Sequence, residues 1–164
     1  MSAYDASEWT DFFVAGAGAS AALAGLVFVA VSINIERILQ FKGLPERALA
    51  TVLLLLSVLL VSLIGLFPGQ TETALALELL GVSLVLTGLI LSYTSPRRSD
   101  HDRNLSHLVS HWLLMALGTI PLLVGSVSLL AETGGGLYWI GAGIALAIAG
   151  AVANAWVLLV EILR

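Results

Sequence analysis

The sequence predicts an all-α integral membrane protein, a five-helix transmembrane bundle with its N-terminus outside and its C-terminus in the cytoplasm. Three observations predict it. Of 164 residues, 59% are hydrophobic and 11% charged, against roughly 45–50% and ~25% in a soluble domain. Five apolar stretches, at 12–33, 48–67, 74–93, 108–131 and 137–160, each reach the ~20 residues that a helix needs to cross about 30 Å of hydrocarbon. With alternating crossings, all seven Lys and Arg fall on one side, which the positive-inside rule makes the cytoplasmic one. The whole chain, 1–164, reads as one transmembrane domain, with no segment outside the bilayer long enough to fold by itself.

The spans must be helices, because lipid offers no partner to open backbone groups. A β-barrel would alternate apolar and polar residues, unlike 52–56 or 84–91. Span one is too long for a signal-peptide core and is preceded by Asp5, Glu8 and Asp11 without a basic residue, so it is expected to remain in the mature protein. Gly43 separates spans one and two, and Pro45 with Glu46 suits the first turn of span two. Thr71 with Glu72 opens span three, and Ser99 with Asp100 and Asp102 opens a cytoplasmic extension of span four. Arg37, Lys42 and Arg47 fill the first cytoplasmic loop, Arg97, Arg98 and Arg103 the second, and Arg164 ends the chain. Aromatics give two belts, Trp9, Phe12, Phe67, Tyr138 and Trp139 outside and Phe41, Tyr93, Trp112 and Trp156 inside.

Small residues mark where helices approach closely, since association in lipid rests on van der Waals contact rather than on hydrophobic transfer. Ala17, Ala21 and Gly25 in span one, and Gly143, Ala147 and Ala151 in span five, recur at four-residue spacing. Spans one and five are therefore expected to be central. Span two, with Leu53 to Leu56, Leu59, Leu60 and Leu63, is expected to face lipid. The segment 9–39, above all Phe28-Val29-Ala30-Val31-Ser32-Ile33-Asn34-Ile35-Glu36-Arg37, resembles a family of small bacterial multi-pass membrane proteins with no established function. That resemblance implies a bacterial inner-membrane location and supplies no catalytic residue.

Polar groups at membrane depth are costly and tend to face a bundle interior. The topology gathers Asn34, Glu36, His107, His111, Asn154 and Glu161 towards the cytoplasmic leaflet, and this polar cluster is the candidate pathway. The competing reading places the charges among solvated headgroups and gives Asn154 one interhelical hydrogen bond. His107 and His111 lie on one helical face, the spacing by which two imidazoles grip a metal, but the sequence between them lacks the Glu of the zinc-protease motif. No metal site and no cofactor is assigned. In span four, Gly118, Thr119 and Pro121 predict a helix break at mid-depth, because proline cannot donate and obstructs the carbonyl of Leu117. Ser83 and Thr87 are further polar linings or interhelical donors, and Glu78 is a dipole-stabilised acid near the outer end of span three.

Absences narrow the function. Without cysteine there are no disulfides, thiolate metal sites or iron–sulfur clusters. A net charge of −4 with no basic run makes nucleic acid an unsuitable partner. No nucleophile elbow or phosphate loop favours an enzyme. The expectation is a homo-oligomeric conduit for ions or small solutes. Its alternatives are an accessory or regulatory subunit of a larger membrane complex and, third, a membrane-embedded metal-dependent enzyme. Five short spans surround no wide passage alone, so conduction implies a ring of identical chains.

Overall fold

The computed structural model describes residues 3–41, 43–94 and 105–163; the side chains of 93, 94, 105–115 and 161–163 lie outside the described residues. A one-turn helix, Ala6–Trp9, leads into α1 (Thr10–Ile33), α2 (Ile35–Gln40), α3 (Leu44–Gly65), α4 (Glu72–Thr94), α5 (Leu105–Leu130) and α6 (Gly136–Leu163). Every regular element among the described residues is helical. Among the described residues, four stretches are long and apolar enough to cross a bilayer: Ala6–Ile33, Leu44–Gly65, Glu72–Ser92 and Gly136–Val160. In α5 the described apolar part is Ala116–Leu130. The expected starts of the cytoplasmic extension at Ser99, Asp100 and Asp102, and the basic residues Lys42, Arg97, Arg98, Arg103 and Arg164, lie outside the described residues.

Local chemistry explains where helices begin and end. Gly43 adopts φ +90°, a left-handed conformation that reverses the chain between α2 and α3, and proline follows in the first turn of α3. Thr71 caps α4 by accepting the Ala74 N–H at 3.2 Å, and Glu72 follows in the first turn. Between α1 and α2 the helix is interrupted at Asn34, whose side-chain amide donates to the Ala30 carbonyl at 2.9 Å. The break expected in span four is not a break in secondary structure, since α5 continues through a buried Pro121.

The helices α3, α4, α5 and α6 form a four-helix ring in which each packs on its two sequential or closing neighbours, and α1 lies against α3 and the edge of α6. This corrects two expectations. Span two is the centre of the molecule: 56% of its apolar window is buried, against 11% for span one. The centre is therefore α3 with α6, and α1 is the outermost element. Leu54, Leu55, Val58 and Val61 of the leucine-rich helix are enclosed. Hydropathy could not reveal this, because lipid tails are as apolar as a protein core.

Glycines set the close approaches. A Cβ on Gly65 of α3 would come within 2.6 Å of the Phe13 ring of α1, and one on Gly16 of α1 within 2.8 Å of Ser62 Oγ of α3. The two helices thus interlock, each offering a gap for the other's projection. Between α5 and α6 the same device recurs: Gly118 lies against Ala147, and Gly143 lies under Leu122. With little hydrophobic transfer to gain between helices in lipid, these contacts supply dispersion energy that a uniform Leu surface does not.

At the end of the bundle that carries the N-terminus, the segment before α1 is fastened to the α5–α6 turn. The Leu137 N–H donates to the Ala3 carbonyl at 2.8 Å, and the Gly135 N–H to the Tyr4 hydroxyl at 3.1 Å. Trp9 meets Tyr138 edge-to-face at 5.0 Å and Phe12 at 5.7 Å. Trp139 Nε1 donates to the Gly134 carbonyl at 3.0 Å, and the turn is closed by Ser128, which donates to the Thr133 carbonyl and accepts the Gly136 N–H. Gly134 and Gly135 hold φ of +84° and +93°, which admits this tight reversal.

Candidate functional site

Among the described residues, the buried polar side chains Thr51 of α3 and Asn154 of α6 meet between these two helices. Asn154, fully enclosed, accepts a hydrogen bond at Oδ1 from Arg47 Nε at 2.9 Å. Its Nδ2 donates to Thr51 Oγ1 at 2.8 Å, and the Thr51 hydroxyl donates to the Arg47 carbonyl at 2.9 Å. Arg47 and Thr51 are one helical turn apart, so both project towards the same stretch of α6. The arrangement closes a loop: guanidinium to amide, amide to hydroxyl, hydroxyl back to the backbone that bears the guanidinium. Every polar atom of Asn154 has a partner inside the protein. An arginine brought this far towards the bundle interior needs such an acceptor, since an unpaired charge there is strongly disfavoured.

Of the six residues grouped as a polar cluster, the three whose side chains are described have different surroundings. Asn34 is half-buried and bonded to its own helix. Glu36 is exposed on α2. Asn154 is locked to α3. The side chains of His107, His111 and Glu161 lie outside the described residues. Among the described residues no group of three His, Asp or Glu side chains is placed to hold a metal. Gly118, Thr119 and Pro121 are all buried, with Gly118 pressed between Leu54 of α3 and Ala147 of α6.

The small-residue positions divide as sharply. Gly143, Ala147 and Ala151 are buried in the bundle. Ala17 is half-buried, whereas Ala21 and Gly25 are exposed, and nothing lies within 4 Å of a Cβ built on Gly25. The buried residues of α1 are Phe13, Gly16 and Ser20, of which Phe13 and Gly16 meet Gly65 and Ser62 of α3. The opposite face presents Ala15, Gly18, Ala22, Gly25, Val29 and Ser32, all exposed and spaced alternately three and four apart. A second outward face on α4 carries Glu78, Gly81, Val85 and Gly88, also exposed at that spacing. Glu78 accepts a hydrogen bond from Gln70 Nε2 at 2.6 Å, which ties it to the α3–α4 turn.

Two groups escaped the sequence reading. Arg47, expected in a cytoplasmic loop, stands within α3, and Thr51 lies on the same helix, which was expected to face lipid. The available signal was the pairing of a cation with a hydroxyl four residues later on one face, opposite the single deep amide of span five. Ser62 is a further find, and Ser83 differs from the interhelical donor expected: among the described residues neither buried hydroxyl has a hydrogen-bond partner.

Comparison with protein-family models, curated proteins and solved structures finds no match for the chain.

Proposed function

We propose that this chain is a five-span membrane protein, its C-terminus cytoplasmic, that assembles with copies of itself and passes ions or small solutes along the axis of the ring. The observation that carries this reading is the division between a closed protomer and an open α1. The ring of α3 to α6 is filled by apolar side chains, and its deepest amide is consumed by Arg47 and Thr51. A passage therefore runs between protomers rather than through one. The least buried span, α1, turns outward a line of small residues with Asp11 before it and Ser32 near its far end. The exposed line on α4 stands on another flank of α3. Two different surfaces on separate flanks are what a head-to-tail, closed ring uses. α5 supplies the fifth crossing, and the basic residues of the loops and C-terminus set the orientation. The resemblance of 9–39 supports a bacterial inner-membrane location.

The accessory-subunit reading draws on the same outward face of α1. Between Ala15 and Val29 it carries no charge or amide, so it offers a packing surface for the helix of another membrane protein as readily as a wall for a passage.

Reconstitution separates them. The full chain in lipid nanodiscs is expected to have the mass of a closed oligomer. In liposomes it is expected to release potassium or a small organic cation, with release reduced by Gly18→Leu combined with Gly25→Leu. A monomer at every protein-to-lipid ratio, or an oligomer without flux, removes the conduit. Co-purification of a stoichiometric larger partner with flux absent establishes the accessory role.

A further inference from the structure

Between the second half of α1 and α6 lies a wholly apolar groove of about 240 Å³. Leu23, Val27 and Val31 form one wall and Ala151, Ala155 and Leu159 the other, with Leu55 of α3 as the floor. Ile38 of α2 closes one end, and the exposed Trp156 stands at the edge. From Leu23 to Val31, and again from Ala151 to Leu159, the walls extend eight residues, or about 12 Å. The groove therefore stays within one leaflet of a bilayer whose core is about 30 Å thick. Its length is less than half of the ~30 Å over which a transmembrane helix of a second copy would run, and falls within the depth of one leaflet, where a lipid tail lies.

We propose that this groove binds one acyl chain of an anionic phospholipid, whose headgroup is held at Arg37. The charge is in place for that. Ile38 points into the closed end of the groove, and Arg37, its neighbour on α2, is exposed about 100° round the helix. Glu36, about 200° round, lies on the far side of α2 from the groove. Trp156 at the edge suits the interfacial depth at which aromatic rings settle. The chain's tail lies parallel to the helices, as lipid tails do, and bridges the gap that α1 leaves against α6. The bound lipid thereby fixes the angle of the outermost helix. This inference rests on the membrane reading of the fold and is independent of conduction or ring formation.

The test is photo-cross-linking of the full chain in vesicles of equal phosphatidylglycerol and phosphatidylcholine, with a diazirine in the tail of one or the other. Cross-links are expected to concentrate at 23–31 and 151–159, at about one lipid per chain, with the phosphatidylglycerol probe favoured several-fold. Ala155→Phe fills the groove and is expected to reduce that yield at least several-fold, leaving cross-links on the exposed face of α4 at Leu84 and Val85 unchanged. Leu26→Trp, at a position 68% exposed, blocks the same groove without a demand on the core. Arg37→Gln is expected to equalise the two probes. Equal labelling of the groove and of α4 in the unmodified chain, or groove labelling unaffected by both blocking variants, overturns the proposal. So does chain-to-chain capture by a benzophenone at position 26, which assigns the groove to a second copy. Absence of acyl cross-links anywhere would instead count against the membrane reading itself.

Discussion

Replacing Asn154 by alanine removes two interhelical hydrogen bonds in one step, the bond from Arg47 Nε and the bond to Thr51 Oγ1. The first involves a charged group, for which mutational data give about 1.5–3 kcal/mol. The second is a neutral interhelical bond in a membrane, worth about 0.6 and at most ~1.7 kcal/mol. Together they place the loss for Asn154→Ala at about 2–4 kcal/mol, with the Arg47 bond dominant. Asn154→Asp retains an acceptor for Arg47 and is expected to lose less than half of this. Equilibrium unfolding in bicelles by steric trapping measures both variants. A double-mutant cycle with Arg47→Gln isolates the larger coupling, and one with Thr51→Val the smaller. Coupling energies that reverse this order, or that both fall below ~0.3 kcal/mol, refute the picture of a closed polar loop between α3 and α6.

Glycine substitutions separate inner from outer faces of the helices. Gly65→Ala drives a Cβ to 2.6 Å from the buried Phe13 ring and is expected to destabilise by about 1–3 kcal/mol. Gly18→Ala and Gly25→Ala meet nothing within 4 Å and are expected to be neutral or stabilising by up to ~1 kcal/mol under the same unfolding assay. Ser62→Ala and Ser83→Ala, which delete unpartnered buried hydroxyls, are expected to leave thermal stability unchanged or to raise it. Tyr4→Phe removes the acceptor for the Gly135 N–H and is expected to speed amide exchange at residues 134–137, with about 1 kcal/mol of local stability lost. Asp5, whose carboxylate is held below the ordinary range by the Ser7 side chain and then by the Ser7 N–H, stabilises the start of the chain when ionised. Its contribution is present above the ordinary carboxylate pKa and is lost as pH falls through the lowered value. Protection of the Ser7 amide, its exchange rate relative to the intrinsic rate at each pH, measures this, and Asp5→Asn is expected to make that protection independent of pH in this range.

The helical architecture, with helices long and apolar enough to cross a membrane, was legible because its cause, runs of apolar residues between Gly, Pro and charged breaks, is local in sequence. Which helix sits inside was not. Lipid and protein interior make the same demand on a leucine, so Leu54 and Leu55 in the core cannot be told by type from Leu26 at the surface. The informative residues in α3 were small or polar ones, Ala48, Thr51, Ser57, Ser62 and Gly65, all of them buried. Small residues alone were ambiguous in α1 too: Gly16 faces α3, while Gly18, two positions on, faces outward. Asn154 was visible as the one deep amide, yet its partners could not be assigned while α3 was expected at the periphery. The N-terminal fastening was hidden for another reason, since it rests on backbone groups of Ala3, Gly135 and Leu137, whose chemistry every residue shares.

The chain contains no cysteine, so single-cysteine spin labels can be placed one at a time in α1 and α3 of the reconstituted protein, and their collision with oxygen compared. With chains dilute enough in lipid to stand singly, the account predicts a helical rhythm in α1 in which labels at positions 15, 18, 22 and 25 collide freely and those at 13, 16 and 20 do not, and protection along α3 at 54, 58 and 61. Free collision along α3 with uniform protection of α1 would contradict it.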